Sequence, residues 1–275
     1  MLIAAFGFTL MQVLIKYVNE GNIYHVFQIV FFRSLLTAII SSVALKRQKI
    51  SLIGKNQKIL FLRAFLGLAS MTLFFLTLQR IPYGASVTLR YLAPFFTFVL
   101  AVFILKERVK PIQWLFVFTA IAGVVLLKGF DSRIDNLSMI LAVLGAFFGG
   151  CVYVTIRKIG KTEHPLVIVN YFMSTATIVS GIAMLYFWQT PSLSDLLILI
   201  SLGGFGYVGQ MYMTLSFQNE AANIVAPFKY TELIYAFAFG FLFFNEGYTA
   251  LSMLGLIILL VSCVANVIFQ PKKTT

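Results

Sequence analysis

The sequence predicts an all-α membrane protein, ten transmembrane helices arranged as two inverted five-helix repeats, and three observations carry that expectation. The 275 residues are 60% hydrophobic and only 11% charged, whereas soluble domains average about 45 to 50% apolar and roughly 25% charged. Mean hydropathy is +0.94. Apolar stretches close to the roughly 20 residues that cross a hydrocarbon core recur along the whole chain. Two segments 139 residues apart also match at their polar positions.

The spans run 1–15, 27–45, 59–78, 83–105 and 112–127 in the first half, and 137–156, 165–188, 196–217, 221–244 and 248–269 in the second. The first lacks a basic n-region and a small-residue cleavage site, so it reads as a span and not as a signal peptide. Little chain remains for a separate soluble domain. Basic loops stay cytoplasmic, and here every second connection is basic. Lys46, Arg47, Lys49, Lys55 and Lys58 follow span two, Lys106, Arg108 and Lys110 follow span four, and Arg157, Lys158 and Lys161 follow span six. Lys272 and Lys273 follow span ten, while the opposite loops hold only Arg80, Lys128 and Arg133. Both termini are therefore expected in the cytoplasm. The formal charge of +12 is accounted for by this flanking pattern and does not call for nucleic acid.

The repeat is read from spans four and nine. LRYLAPFFTFVLAVFILKE ends at Glu107 and FKYTELIYAFAFGFLFFNE ends at Glu246, which brings Arg90 and Tyr91 into register with Lys229 and Tyr230. Agreement between apolar letters is cheap in such a chain, but agreement between polar ones is not. Five spans per half is an odd number, so the second half enters from the opposite face, the inverted arrangement of many secondary carriers.

Intramembrane charges are costly and need a reason. Lys16 and Arg63 lie near span ends and are expected to snorkel. Arg33, six residues into span two, leaves snorkelling and a wet cavity or partner both open. Arg90 and Lys229 lie about 10 to 12 Å from their interfaces at 1.5 Å per residue, and Glu232 is nearly central. Lys229 and Glu232, three apart, share a helix face and can pair. Pro94 removes the bond to the Arg90 carbonyl and Pro227 the bond to that of Asn223, so both helices are expected to break beside their basic residue. Proline-interrupted spans in corresponding halves point to a midplane binding site. Arg90 and Lys229 would hold an anionic group there and Glu232 a cationic one, with Tyr91, Tyr230, Arg33, Tyr207 and Gln210 completing the lining. Glu232 is also the candidate for coupling a proton, unless an exchanged solute drives the cycle.

Gly204, Gly206 and Gly209 form a formal G-x-G-x-x-G, but no strand precedes it, so with Gly203 it reads as close helix packing, as do Gly145 and Gly149. Cys151 and Cys263 have no neighbouring ligands, and neither a metal nor a cofactor is expected. A membrane-embedded enzyme is the alternative of another class. His25 and His164 lie near span ends, and no G-x-S-x-G or H-E-x-x-H pattern supports it.

Phe32-Arg33, Tyr91 to Pro94 with Lys106-Glu107-Arg108, and Ala226 to Tyr230 with Glu246 together resemble the EamA branch of the drug/metabolite transporter superfamily, over nearly the whole chain. The resemblance implies two repeats, 1–128 and 136–270, in the cell (inner) membrane. It also implies transport of a small organic metabolite among membrane lipids by alternating access, and no enzymatic step. Trp188 to Ser192 and Ala226 to Leu233 are similar to S-adenosylmethionine uptake carriers. A zwitterionic amino acid or derivative fits the charges of the site best, and S-adenosylmethionine is the alternative.

Overall fold

The computed structural model describes residues 1–19, 23–81, 83–106, 110–128 and 135–244, with scattered positions between 250 and 269. Span ten, Glu107 and Glu246 lie wholly or mostly outside the described residues. Among the described residues all regular structure is helical. The helices are α1 (Leu2–Val18), α2 (Val26–Arg47), α3 (Gln57–Arg80), α4 (Tyr83–Arg90), α5 (Leu92–Leu105), α6 (Pro111–Lys128), α7 (Asn136–Ile159), α8 (Pro165–Met184), α9 (Leu193–Asn219), α10 (Ala222–Val225) and α11 (Thr231–Phe244). A 3-10 stretch, Ala226–Tyr230, joins the last two. By length and composition α2, α3, α7, α8 and α9 can each cross a bilayer, and α1, α5 and α6 are shorter apolar helices.

Five long helices begin on a polar side chain that accepts an otherwise orphaned backbone N–H. His25 accepts from Phe27, Asn56 from Ile59, Asp135 from Ser138, His164 from Leu166 and Ser192 from Asp195. At Asp135 the Ser138 hydroxyl, and secondarily the Arg80 guanidinium, hold the carboxyl below its usual range. This cap is therefore intact at neutral pH and is lost only on strong acidification. Span seven was expected to reach residue 188, but α8 stops at Met184. The Trp188 side chain instead lies in the connection to α9, where an aromatic ring suits the membrane interface.

Sequence-distant helices pack in antiparallel pairs. α1 lies on α9, α2 on α8 and α3 on α7, and α5 adjoins α7, α10 and the 3-10 stretch. The α2/α8 pair is tied at both ends. Gln28 Nε2 donates to the Gln189 carbonyl at 2.7 Å and Gln28 Oε1 accepts from Gln189 N at 3.1 Å. At the other end Asn170 Nδ2 donates to Ser42 Oγ at 2.6 Å and Ser41 Oγ at 3.0 Å.

Small residues set the crossing distances, since lipid gives apolar helices no hydrophobic reason to associate. A Cβ on Gly203 would lie 2.5 Å from Leu36 Cβ and 3.1 Å from the Arg33 carbonyl, one on Gly209 would meet the Phe8 ring, and one on Gly145 would meet α3. Thr37 Oγ1 uses the proximity to donate to the Gly203 carbonyl at 2.8 Å. The expected glycine packing holds at Gly203, Gly206 and Gly209, but Gly204 has nothing within 4 Å. Gly203→Ala is accordingly expected to cost about 1 to 3 kcal/mol by forcing α2 away, whereas the adjacent Gly204→Ala leaves stability unchanged. Melting temperatures in detergent check the contrast.

Candidate binding cavity

The cavity is built where the membrane charges converge. Pro94, third in α5, cannot donate to the Arg90 carbonyl, and α4 ends at Arg90 while α5 resumes at Leu92. On the other half Pro227, also without an N–H, stands second in the 3-10 stretch that ends at Tyr230. The two irregular segments meet, with the rings of Tyr91 and Tyr230 5.7 Å apart.

Arg33 from α2, Arg63 from α3 and Arg90 from α4 line one cavity with Ser70, Tyr153, Gln210 and an apolar wall of Phe8, Met11, Met71, Phe74, Phe75 and Phe172. Water centres can occupy about 50 Å3 of it, room for a few waters at about 10 to 15 Å3 each. Each guanidinium is supported by an aromatic face. Arg33 lies 5.8 Å from the Phe75 centroid, Arg63 4.3 Å from Phe172, and Arg90 4.1 Å from Phe74 and 6.0 Å from Phe8. Such contacts contribute about 0.5 to 2 kcal/mol each but neutralise no charge. Arg33 donates from Nε to Met11 Sδ at 3.0 Å and from Nη1 to Met71 Sδ. The side chain is repelled by both other arginines. Among the described lining residues none carries a carboxylate.

Lys229 and Glu232, 2% and 1% exposed, pair with each other behind the Phe8 ring, which stands 4.7 Å from Lys229 Nζ. The second oxygen of Glu232 is buried without a hydrogen-bond partner among the described residues. Tyr91 is fully buried and lies within electrostatic reach of both Glu232 and Arg90, linking pair and cavity.

Of the residues singled out from sequence, Arg33, Arg90 and Gln210 line the cavity, Tyr91 and Tyr230 adjoin it, and Lys229 and Glu232 form the pair behind it. Tyr207 is half-buried against the core and does not line the space. The snorkelling expectation for Arg63 is overturned, since the residue is 1% exposed. Its Nη1 runs up the helix to within 2.3 Å of where a Gly67 Cβ would stand, away from the nearer interface. Gly67, one turn further in, makes the room, and that Arg-x-x-x-Gly spacing is the signal the sequence offered. Lys16 is half-buried and its Nζ reaches the Leu78 carbonyl at 3.4 Å.

Connections latch the bundle on both faces. On one, beside the Gln28–Gln189 bonds, Tyr24 donates to Asp195 at 2.7 Å and His25 stacks on Phe187 at 4.0 Å. Burial lowers the pKa of the His25 imidazole. On the other face the Glu163 carboxylate accepts from Asn56 N at 2.7 Å, and Gln218 Nε2 donates to the carbonyls of Gly160 at 2.6 Å and Glu163 at 2.8 Å. Among the described residues no group of three potential metal ligands occurs.

The model of the EamA-like transporter family matches residues 1–128 and 136–268. The pseudopaline exporter CntI of Pseudomonas aeruginosa is 26% identical over 96% of this chain and 93% of its own length. An S-adenosylmethionine uptake transporter of Rickettsia bellii is 25% identical over 95% of this chain and 89% of its own. One solved crystal structure superposes with a TM-score of 0.80 over 99% of this chain and 98% of its own, at 13% identity, a likeness of fold.

Proposed function

Because the chain belongs to the EamA-like transporter family, we propose that it is a secondary carrier moving a small organic metabolite across the cytoplasmic membrane by alternating access. It is a multi-pass membrane protein of a family that transports small molecules, and not an enzyme. The observation that carries the mechanism is a small arginine-lined cavity enclosed by helices of both halves, with hydrogen-bonded latches at each end of the bundle. Ligand pockets typically measure about 300 to 1,000 Å3, so substrate entry requires one latch to open and the halves to part. Breaking the Gln28–Gln189 bonds opens one side, and releasing Glu163 from Asn56 opens the other.

The two inverted repeats, 1–128 and 136–270, are part of this reading. Under the offset of 139 residues α2 corresponds to α8, and the α1/α9 contact corresponds to α7/α3, so exchange of the halves maps the main packing pairs onto themselves. An amino acid or amino-acid derivative fits the site, with a carboxylate on Arg90 and Arg33 and an amine taking the place of Lys229 at Glu232. S-adenosylmethionine, suggested by the Rickettsia relative, stands second because its amine and sulfonium add cations to a cavity that already holds three. One relative is named an exporter and the other an uptake protein, so direction is read from transport and not from kinship.

Purified protein in proteoliposomes is expected to show saturable counterflow of a labelled amino-acid-derived carboxylate. Flux linear in concentration would indicate a channel. Both termini are placed in the cytoplasm by the lysine and arginine pattern. A Lys273→Cys variant should therefore resist membrane-impermeant maleimide in intact cells and react once they are permeabilised. Reaction in intact cells reverses the assignment of sides.

A further inference from the structure

We infer that the substrate carries at least two carboxylates, received by different arginines of the cavity, an inference that rests on the carrier reading above. The warrant is the imbalance of charge. Three guanidinium groups line one cavity, those of Arg33 and Arg63 buried and that of Arg90 partly so, no described lining residue is acidic, and Glu232 is engaged by Lys229. Each arginine rests on a phenyl face, and Arg33 also on thioethers, contacts that support a cation without cancelling it. A buried charge left unpaired is strongly unfavourable, and a ligand of opposite charge removes that cost. One carboxylate, taken bidentate by one fork, leaves two cations uncompensated.

The donors left over agree. Arg63 Nε and Nη1 and Arg90 Nη1 are buried without a hydrogen-bond partner among the described residues. Side chains anchored on separate rings are not free to gather around a single small anion. They stand on three different helices and stack on three different rings, Phe75, Phe172 and Phe74. That dispersal suits carboxylates separated along a carbon skeleton better than one phosphate, and the phenylalanine and methionine wall suits the skeleton between them.

Thermal stabilisation of the detergent-purified full chain reads binding without requiring transport. The probes are succinate, citrate and iminodiacetate against acetate, glycine, S-adenosylmethionine, inorganic phosphate and chloride at matched ionic strength. The polycarboxylates are expected to raise the melting temperature, and Arg63→Gln and Arg90→Gln each to weaken that binding by at least about tenfold, the scale of one charge-assisted contact. Arg63→Lys and Arg90→Lys keep the charge but lose the fork. They should weaken it less, and they carry the comparison if a glutamine variant fails to insert. Stabilisation only by monocarboxylates, S-adenosylmethionine, phosphate or chloride overturns the inference, as does no stabilisation by any probe. Absence of saturable counterflow for every solute overturns the carrier reading instead, so the two failures are distinguishable.

Discussion

Arg90→Gln is expected to lower transport at subsaturating substrate by roughly 30- to 150-fold, equivalent to the about 2 to 3 kcal/mol of a hydrogen bond to a charged group. It is also expected to leave the empty protein as stable as the wild type or slightly more so. Both expectations follow from one feature. Arg90 ends α4 at the break before α5, faces the cavity, and keeps a buried Nη1 without a hydrogen-bond partner among the described residues. Among the described residues its charge is supported by the rings of Phe74 and Phe8. Removing a partly buried cation that has no carboxylate partner among the described residues relieves the folded state, whereas breaking an established ion pair would harm it. A residue held at a cost to stability is what a binding site shows. Initial rates in proteoliposomes, with melting temperatures in detergent, check both halves. Wild-type transport combined with a large loss of stability would make Arg90 structural and remove it from the site.

What could be read from the sequence follows from how polarity is distributed in a membrane chain. Charged and kinked positions stand out against an apolar background, so Arg90, Lys229, Glu232 and the paired prolines were visible. The register of Arg90 with Lys229 at an offset of 139 residues, which the prolines do not share, led to Tyr91 and Tyr230, whose rings meet. The Lys229–Glu232 pair followed from a spacing of three on a helix. The phenylalanines of the cavity were not legible. The chain has 29 of them, and one facing lipid, such as Phe103, has the same composition signature as Phe74, which faces inward, because both environments are apolar. Distance along the helix is not depth for Arg63, whose side chain climbs over Gly67 towards the interior. The partnership that removes Lys229 and Glu232 from the lining is likewise a matter of side-chain direction, which spacing permits but does not require.

Glu232→Gln is expected to abolish accumulation of substrate against its gradient and to destabilise the protein by about 3 to 5 kcal/mol, the cost of leaving a buried partner unpaired. Lys229 is 2% exposed and Glu232 is the partner recorded for its Nζ, so the amide leaves a cation with no carboxylate beside it. Lower stability alone could reduce transport, so the single variant does not isolate coupling. The double variant Lys229→Gln/Glu232→Gln does, because replacing both members of a buried pair by neutral groups is often close to neutral for stability. Its melting temperature should return towards wild type. Were the pair only structural, accumulation would return with it. The expected result is that stability recovers and accumulation does not, since in the proposed cycle the Glu232 carboxylate, within electrostatic reach of Tyr91, would exchange Lys229 for a proton or a substrate amine. Transport in proteoliposomes with and without an imposed pH gradient provides the measurement. Recovery of gradient-driven accumulation in the double variant, with an unchanged pH profile, would assign coupling to an exchanged solute and leave Glu232 as the structural partner of Lys229.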